Sequence, residues 1–157
     1  MSDNTDSPEI ARERETEPVL QFSVFTPNRL GRLHEVVHRL AAQDVHIMAL
    51  SVQDTTDSTI LRLIVDDPDR ARQLLDEYGF PYVENPMLVV EIDYERQLKD
   101  VLAALFEAEL NIHYTYAFLT RPSGRSALAI SLEHADVAEH ALRRHQFRIL
   151  YQGDISR

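Results

Sequence analysis

Two histidines one helical turn apart are the residues of this chain whose spacing points most directly to chemistry. The segment His34-Glu35-Val36-Val37-His38 places imidazoles at positions i and i+4 with a glutamate between them. On a helix, such a pair can bind zinc while the glutamate acts as the general base of a hydrolase. The apolar face of the predicted helix leaves both histidines on its flank and the glutamate on the far side. No third ligand follows on a helix. Because the ligand set is incomplete, we treat a zinc-dependent hydrolase as an alternative and not as the leading interpretation.

Other polar clusters have simpler explanations. Asp66-Asp67-Pro68-Asp69 could hold a cation, but an aspartate followed by proline is typical of a capped helix start. Glu133, His134 and Asp136 occupy the equivalent start of the last predicted helix, and the same interpretation applies to them. No catalytic triad, Walker loop or dinucleotide fingerprint is present. The sequence therefore predicts no catalytic residue, no bound metal and no cofactor.

A glycine-containing turn offers a different kind of chemistry. Asn28-Arg29-Leu30-Gly31-Arg32 precedes an amphipathic helix, and Gly31 has no Cβ to block a ligand from the helix N-terminus. Unpaired N–H groups and the positive end of the helix dipole suit a carboxylate there. We expect a site for a carboxylate-bearing ligand between this turn and the strand start Asn111 to Tyr114, with Asn111 or backbone carbonyls as acceptors for an ammonium group of that ligand. Alternatively, Gly31 only permits the turn and Asn28 caps the helix.

The elements that position this turn occur twice along the chain. Strand and helix patterns follow the order βαββαβ from Val19, and the cycle restarts at Met87. Leu40 aligns with Leu105 and Ile47 with Ile112 at an offset of about sixty-five residues. Residues 1–18 are acidic with a single large aliphatic residue, which predicts a disordered tail. The predicted organisation is therefore a tail over 1–18, a first repeat over 19–86 and a second over 87–153.

This order predicts the α+β class, with two ferredoxin-like βαββαβ repeats side by side. Eight antiparallel strands would form one sheet with the helices on one face. The first helix of the second repeat should bury Leu98, Val101, Leu102, Leu105 and Phe106. Several strands are apolar on both faces, and a sheet face left in water normally alternates apolar with polar residues. We therefore hypothesise that a second copy covers the helix-free face, giving a homodimer.

Composition excludes several function classes. The formal charge is −10 and Lys99 is the sole lysine, which disfavours nucleic acid and anionic membranes as partners. Without cysteine there is neither a disulfide framework nor a thiolate site. No apolar run approaches the roughly 20 residues that span a bilayer, and no signal peptide is recognisable. A cytoplasmic location is the simplest expectation.

The turn and the second repeat carry a family resemblance. Asn28-Arg29-Leu30-Gly31-Arg32-Leu33 is similar to the Asp/Asn-Arg-Pro-Gly-x-Leu turn of the ACT domain, although Leu30 replaces proline. Leu110 to Phe118, LNIHYTYAF, resembles a stretch of short stand-alone tandem-ACT proteins. The resemblance covers about residues 19–153, but Asp93 to Leu98, the counterpart of the turn, lacks both proline and glycine. A second equivalent ligand site is therefore not expected.

The resemblance implies a non-catalytic amino-acid sensor with a partner metabolic enzyme. Size and layout resemble the small regulatory subunits of acetolactate synthase, which implies branched-chain amino acids as a ligand class. A ligand-free dimerisation module is the structural alternative. Tyr114 alternates with Tyr116 and Phe118 on one strand face, a pattern typical of packing, and Tyr114 is also a candidate pocket wall. The expected ligand-binding residues are Asn28, Arg29, Leu30, Gly31, Arg32, Asn111, Ile112 and Tyr114.

Overall fold

The computed structural model describes residues 16–27 and 30–156, and it has the predicted α+β composition. The strands are β1 (Val19–Thr26), β2 (Ile47–Asp54), β3 (Thr59–Val65), β4 (Tyr82–Ile92), β5 (Ile112–Ala117), β6 (Ser126–Leu132) and β7 (Ile149–Leu150). The helices are α1 (Leu30–Ala42), α2 (Pro68–Glu77), α3 (Arg96–Glu107), α4 (Ala135–Arg144) and α5 (Gln152–Ile155). The predicted acidic tail lies almost wholly outside the described residues and stays a prediction.

The strands form a seven-stranded antiparallel sheet in the order β2-β3-β1-β4-β6-β5, with β7 paired to β4. The prediction of eight strands is wrong because the segments expected at Phe80 to Glu84 and Met87 to Ile92 form the single strand β4. Pro86 does not break this strand, since β4 pairs there with β1 alone and a proline is tolerated at an open edge. The first half of β4 pairs with β1 and the second half with β6 and β7. One strand thus joins the two βαββαβ halves.

The sheet curls so that its two outermost strands meet. β2 and β5 are at opposite ends of the strand order, yet Ala49 forms an antiparallel bridge with Phe118. The backbone N–H of Leu119 also donates to the carbonyl of Met48 at 2.8 Å. Helices α1 to α4 therefore share the outer face, as predicted, and the other face of the sheet is turned inward.

Three hydrophobic clusters follow from this arrangement. One lies beneath α1 and α2, and another beneath α3 and α4. A third, which we call the inner core, joins residues on the inner side of the sheet from both halves with Ile155 of α5: Val19, Ala49, Ile64, Met87, Val89, Ala127, Ala129, Leu150 and Ile155. The hypothesis that a second copy covers this face is wrong, because the chain buries the face against itself. Alanines at three of these positions allow the layers to approach closely.

Helix α3 contacts the sheet through a narrower stripe than its sequence predicts. Val101 and Leu105 are buried as expected, and Ala104 is buried with them. Leu98, Leu102 and Phe106 are 38%, 39% and 83% exposed, so their predicted burial is wrong. The apolar positions cover more of the helix circumference than one sheet can contact.

The last segment of the chain is also different from its prediction. A strand over Phe147 to Gln152 is expected, but only Ile149 and Leu150 pair with β4. The Asp154 carboxylate accepts from the Tyr151 N–H at 2.7 Å, and this cap starts α5 in place of further strand. Gln152 then anchors α5 to the first half by accepting from the Leu20 N–H at 3.1 Å.

Helix ends confirm one capping prediction and contradict another. Asp67 caps α2 by accepting from the Arg70 N–H at 3.1 Å, and Gly79 follows the helix with φ +70°. At α4, His134 occupies the cap position with φ +56° and makes no side-chain capping bond. The capping role expected for this cluster is therefore wrong, although Asp136 still lies in the first turn, where its charge suits the dipole.

Candidate ligand-binding site

The N-terminus of α1 is open to a ligand. The helix begins at Leu30, and its first turn contains no acidic residue to neutralise the positive end of the dipole. A Cβ built on Gly31 would meet no atom of residues 16–27 and 31–156 within 4 Å, so these residues leave the backbone open there. The predicted contacts Asn28 and Arg29 lie outside the described residues. The first turn therefore has the electrostatics and the access that a carboxylate needs.

Thr26 is a buried polar residue immediately before this turn. Its side chain is 2% exposed, and within the described chain its Oγ1 has no hydrogen-bond partner. Strand alternation places it on the same face as Phe22 and Val24, which pack beneath α1 and α2. A buried hydroxyl without a partner costs free energy, on the order of 1–3 kcal/mol. Sequence reasoning missed Thr26; the available signal was a polar residue at the buried end of a strand that leads into a glycine turn.

Arg32, another predicted contact, is engaged within its own half. Its guanidinium donates to Glu35 at 3.0 Å and lies 5.4 Å from the centre of the Phe80 ring. Phe80 belongs to the cluster beneath α1 and α2, so Arg32 lies on the outer side of the sheet.

The predicted contacts from the second half are more dispersed. Asn111 is exposed just before β5, and Ile112 packs against the cluster beneath α3 and α4. Tyr114 packs against the inner core instead. The sheet of the first half therefore separates Tyr114 from Arg32, and these two side chains are not brought together. The ligand roles of all four residues stay predictions.

Tyr114 belongs to a polar cluster that joins the two halves inside the curled sheet. The side-chain amide of Gln21 is fully buried; it donates to the Tyr114 hydroxyl at 2.8 Å and accepts from Tyr116 at 2.6 Å. The Arg62 guanidinium carbon lies 3.9 Å from the centre of the Tyr114 ring. Burial raises the pKa of Tyr116 above the ordinary tyrosine value, which keeps its hydroxyl a donor. We call Gln21, Arg62, Tyr114 and Tyr116 the inner polar cluster.

A family model described as an ACT domain pair matches residues 17–155. The chain belongs to the ACT domain family. ACT domains are regulatory, non-catalytic modules that bind small molecules. The predicted family and the predicted tandem ferredoxin-like fold are both confirmed.

Solved structures contain the same fold. Protein BT0572 from Bacteroides thetaiotaomicron is 27% identical with a TM-score of 0.79, covering 88% of this chain and 95% of its own. The ligand-free regulatory subunit of aspartate kinase from Thermus thermophilus is 18% identical with a TM-score of 0.56, covering 82% and 91%. Its counterpart from Thermus flavus is 15% identical with a TM-score of 0.54, covering 82% and 92%. No curated protein matches the sequence.

An acidic groove lies between the first ACT unit and the chain ends, with a volume of about 1000 Å³. Three of its aspartates are already engaged. Asp67 caps α2, Asp69 pairs with Arg72 at 3.0 Å, and the buried Asp66 contacts His46 Nδ1 at 2.8 Å. These contacts agree with the interpretation of this cluster as a helix start instead of a cation site.

His34 and His38 are both exposed on α1 of the ACT pair. Between them, Glu35 is paired with Arg32 at 3.0 Å and with Arg39 at 3.9 Å. Among the described residues, no group of three or more His, Asp or Glu side chains converges on a metal position. The three-ligand set of a zinc hydrolase is therefore not assembled in this part of the chain. No helix over the same residues is long and apolar enough to cross a membrane.

Proposed function

We propose that this ACT-domain protein is a non-catalytic sensor that binds a free amino acid at the N-terminus of α1. The observation that carries the proposal is the buried, unpartnered hydroxyl of Thr26 at the strand end that leads into this helix. Natural structures seldom leave a buried donor unsatisfied, and a bound ligand is one way to satisfy it.

The chemistry of the site follows from the groups around it. The carboxylate of the ligand accepts from N–H groups of the first turn, at Gly31 and Arg32, and from the Thr26 hydroxyl. The ammonium goes to the side-chain carbonyl of Asn111 or to backbone carbonyls. Asn28, Arg29 and Leu30 complete the proposed contact set at the turn. Ile112 and Tyr114 pack against other clusters, so their ligand roles stay predictions apart from this site.

The regulatory mechanism in this proposal is thermodynamic linkage. A ligand held at the turn favours one arrangement of the two units, and a partner metabolic enzyme recognises that arrangement. Branched-chain amino acids are the proposed ligand class, and the cytoplasm, where such enzymes meet free amino acids, is the proposed location. A homodimer is part of the proposal, with an interface outside the helix-free face.

A thermal-shift screen of the twenty amino acids tests the proposal. A ligand at one hundred times its Kd adds about 2.7 kcal/mol to the free energy of unfolding, which raises Tm by roughly 5–10 °C in a chain of this size. The informative variant is Thr26→Val, which keeps the shape and removes the hydroxyl. We expect this variant to match or exceed the ligand-free stability of the wild type while its ligand-induced shift shrinks.

Substitutions at Gly31 provide a matched pair. Gly31→Ala adds a methyl group into open space, whereas Gly31→Val projects two further carbons toward the proposed carboxylate position. Binding should be retained by Gly31→Ala and weakened by Gly31→Val. A screen in which no amino acid shifts Tm would leave the ligand-free dimerisation module as the better interpretation. Light scattering at micromolar concentration tests the homodimer separately, and a monomer would remove that part of the proposal.

A further inference from the structure

The two histidines of α1 form a feature that amino-acid binding does not use. His34 and His38 are one turn apart, and both are exposed to solvent. Their ring centres are 5.8 Å apart and the rings are within 10° of parallel, so the imidazoles are stacked along the helix. This spacing matches the pitch of about 5.4 Å for one turn of helix.

Neither imidazole is committed to another interaction. Within residues 16–27 and 30–156, neither ring makes a hydrogen bond or an ion pair. Glu35, the one carboxylate between them in sequence, is held by Arg32 and Arg39. Both rings are exposed, so solvent reaches them from outside the helix.

We propose that His34 and His38 together bind one late first-row divalent cation, such as Cu²⁺, Ni²⁺ or Zn²⁺. Imidazole nitrogens suit these metals and bind them about 2.0–2.1 Å from the nitrogen. A shared ion lies in the plane of both rings, so the stacked imidazoles have to turn until one nitrogen of each faces the ion, with ring centres about 5 Å apart. Rotation about the side-chain torsions provides this movement because no packing fixes the rings.

This site is not the site of a zinc hydrolase. It has two protein ligands, and water fills the remaining positions around the metal. Glu35 is bound to two arginines, so it is not poised as a general base. The ion instead joins the second and third turns of α1, so that metal binding stabilises the folded chain. The inference is independent of amino-acid binding at the preceding turn.

Metal titration of the full chain, prepared without an affinity tag, tests the proposal. Ni²⁺ and Zn²⁺ are titrated separately by isothermal calorimetry, and native mass spectrometry counts the bound ions. The test variant is His34→Asn/His38→Asn. The matched control is His140→Asn/His145→Asn, which removes two exposed histidines from the other ACT unit. Circular dichroism without metal checks that both variants fold, as their exposed positions predict.

We expect one ion per wild-type chain and an affinity at least about 10-fold lower in the test variant, since both nitrogens are needed for chelation. His38→Asn alone should lose nearly as much, and the control should match the wild type. In NMR spectra, paramagnetic Ni²⁺ should first broaden the ring signals of His34 and His38. Equal affinity in the test variant and the wild type, or no stoichiometric binding to the wild type, would overturn the proposal.

Discussion

The inner polar cluster provides the sharpest stability test of how the two ACT units are joined. Tyr116 donates to the side-chain oxygen of Gln21 at 2.6 Å, and Gln21 is fully buried. The amide nitrogen of Gln21 is already used, because it donates to Tyr114 at 2.8 Å and to Ser23 at 3.2 Å. Tyr116→Phe keeps the ring and removes the donor, so the Gln21 oxygen is left buried without its partner.

The magnitude follows from these contacts. A hydrogen bond contributes about 1 kcal/mol net, and an acceptor left buried and unsatisfied costs about 1–3 kcal/mol. We expect Tyr116→Phe to lower the free energy of unfolding by about 2 kcal/mol, which lowers Tm by roughly 4–8 °C. Urea denaturation followed by far-UV circular dichroism measures the change, with an unchanged m-value as the check that the denatured state is the same.

Two further variants isolate the hydrogen bond. Tyr94→Phe removes the same oxygen from a ring that is 55% exposed and should change stability by less than about 0.5 kcal/mol. In a Gln21→Met background, Tyr116→Phe should cost clearly less, because the acceptor is gone. If Tyr116→Phe is as mild as Tyr94→Phe, the reasoning that this buried bond ties the two units together is refuted.

Three other predictions address the packing of the inner core, the ionisation of Tyr116 and the N-terminal cap of α2. Ala129→Leu should overpack the inner core and lower the free energy of unfolding by about 1–3 kcal/mol, measured by urea denaturation. Ala117→Leu, at an exposed position of β5, should be nearly neutral. Equal effects of the two substitutions would contradict burial of the helix-free face. Burial raises the pKa of Tyr116 in the folded state, so its contribution to stability is full below about pH 10 and is lost as pH rises through the folded pKa. Stability should therefore fall above about pH 10 and fall less in Tyr116→Phe, and identical slopes would count against the assignment. Asp67→Ala should lower the free energy of unfolding by about 0.5–2 kcal/mol through loss of the α2 cap, measured by thermal denaturation, and no change would show that the capping bond contributes nothing.

The sequence by itself determines the repeat, the order of elements and the family. Periodicity of two in strands and 3.6 in helices is a local property, so Val101 and Leu105 are correctly assigned to the core from the sequence. The cap at Asp67 and the positive φ of Gly79 are likewise predictable, because each depends on residues only a few positions away. The glycine turn before α1 is predictable for the same reason, because it also depends on residues that are adjacent in the sequence.

Only the tertiary structure decides what covers the helix-free face. When both faces of a sheet are apolar, both must be covered. The sequence does not say whether a second chain or the same chain covers the face without helices. The curl that brings β2 against β5, and with it the burial of Ala49, Ala127 and Ala129, depends on contacts between residues far apart in the chain. The hydrogen bonds of Gln21 with Tyr114 and Tyr116 are long-range features of the same kind, and no local pattern could have revealed them.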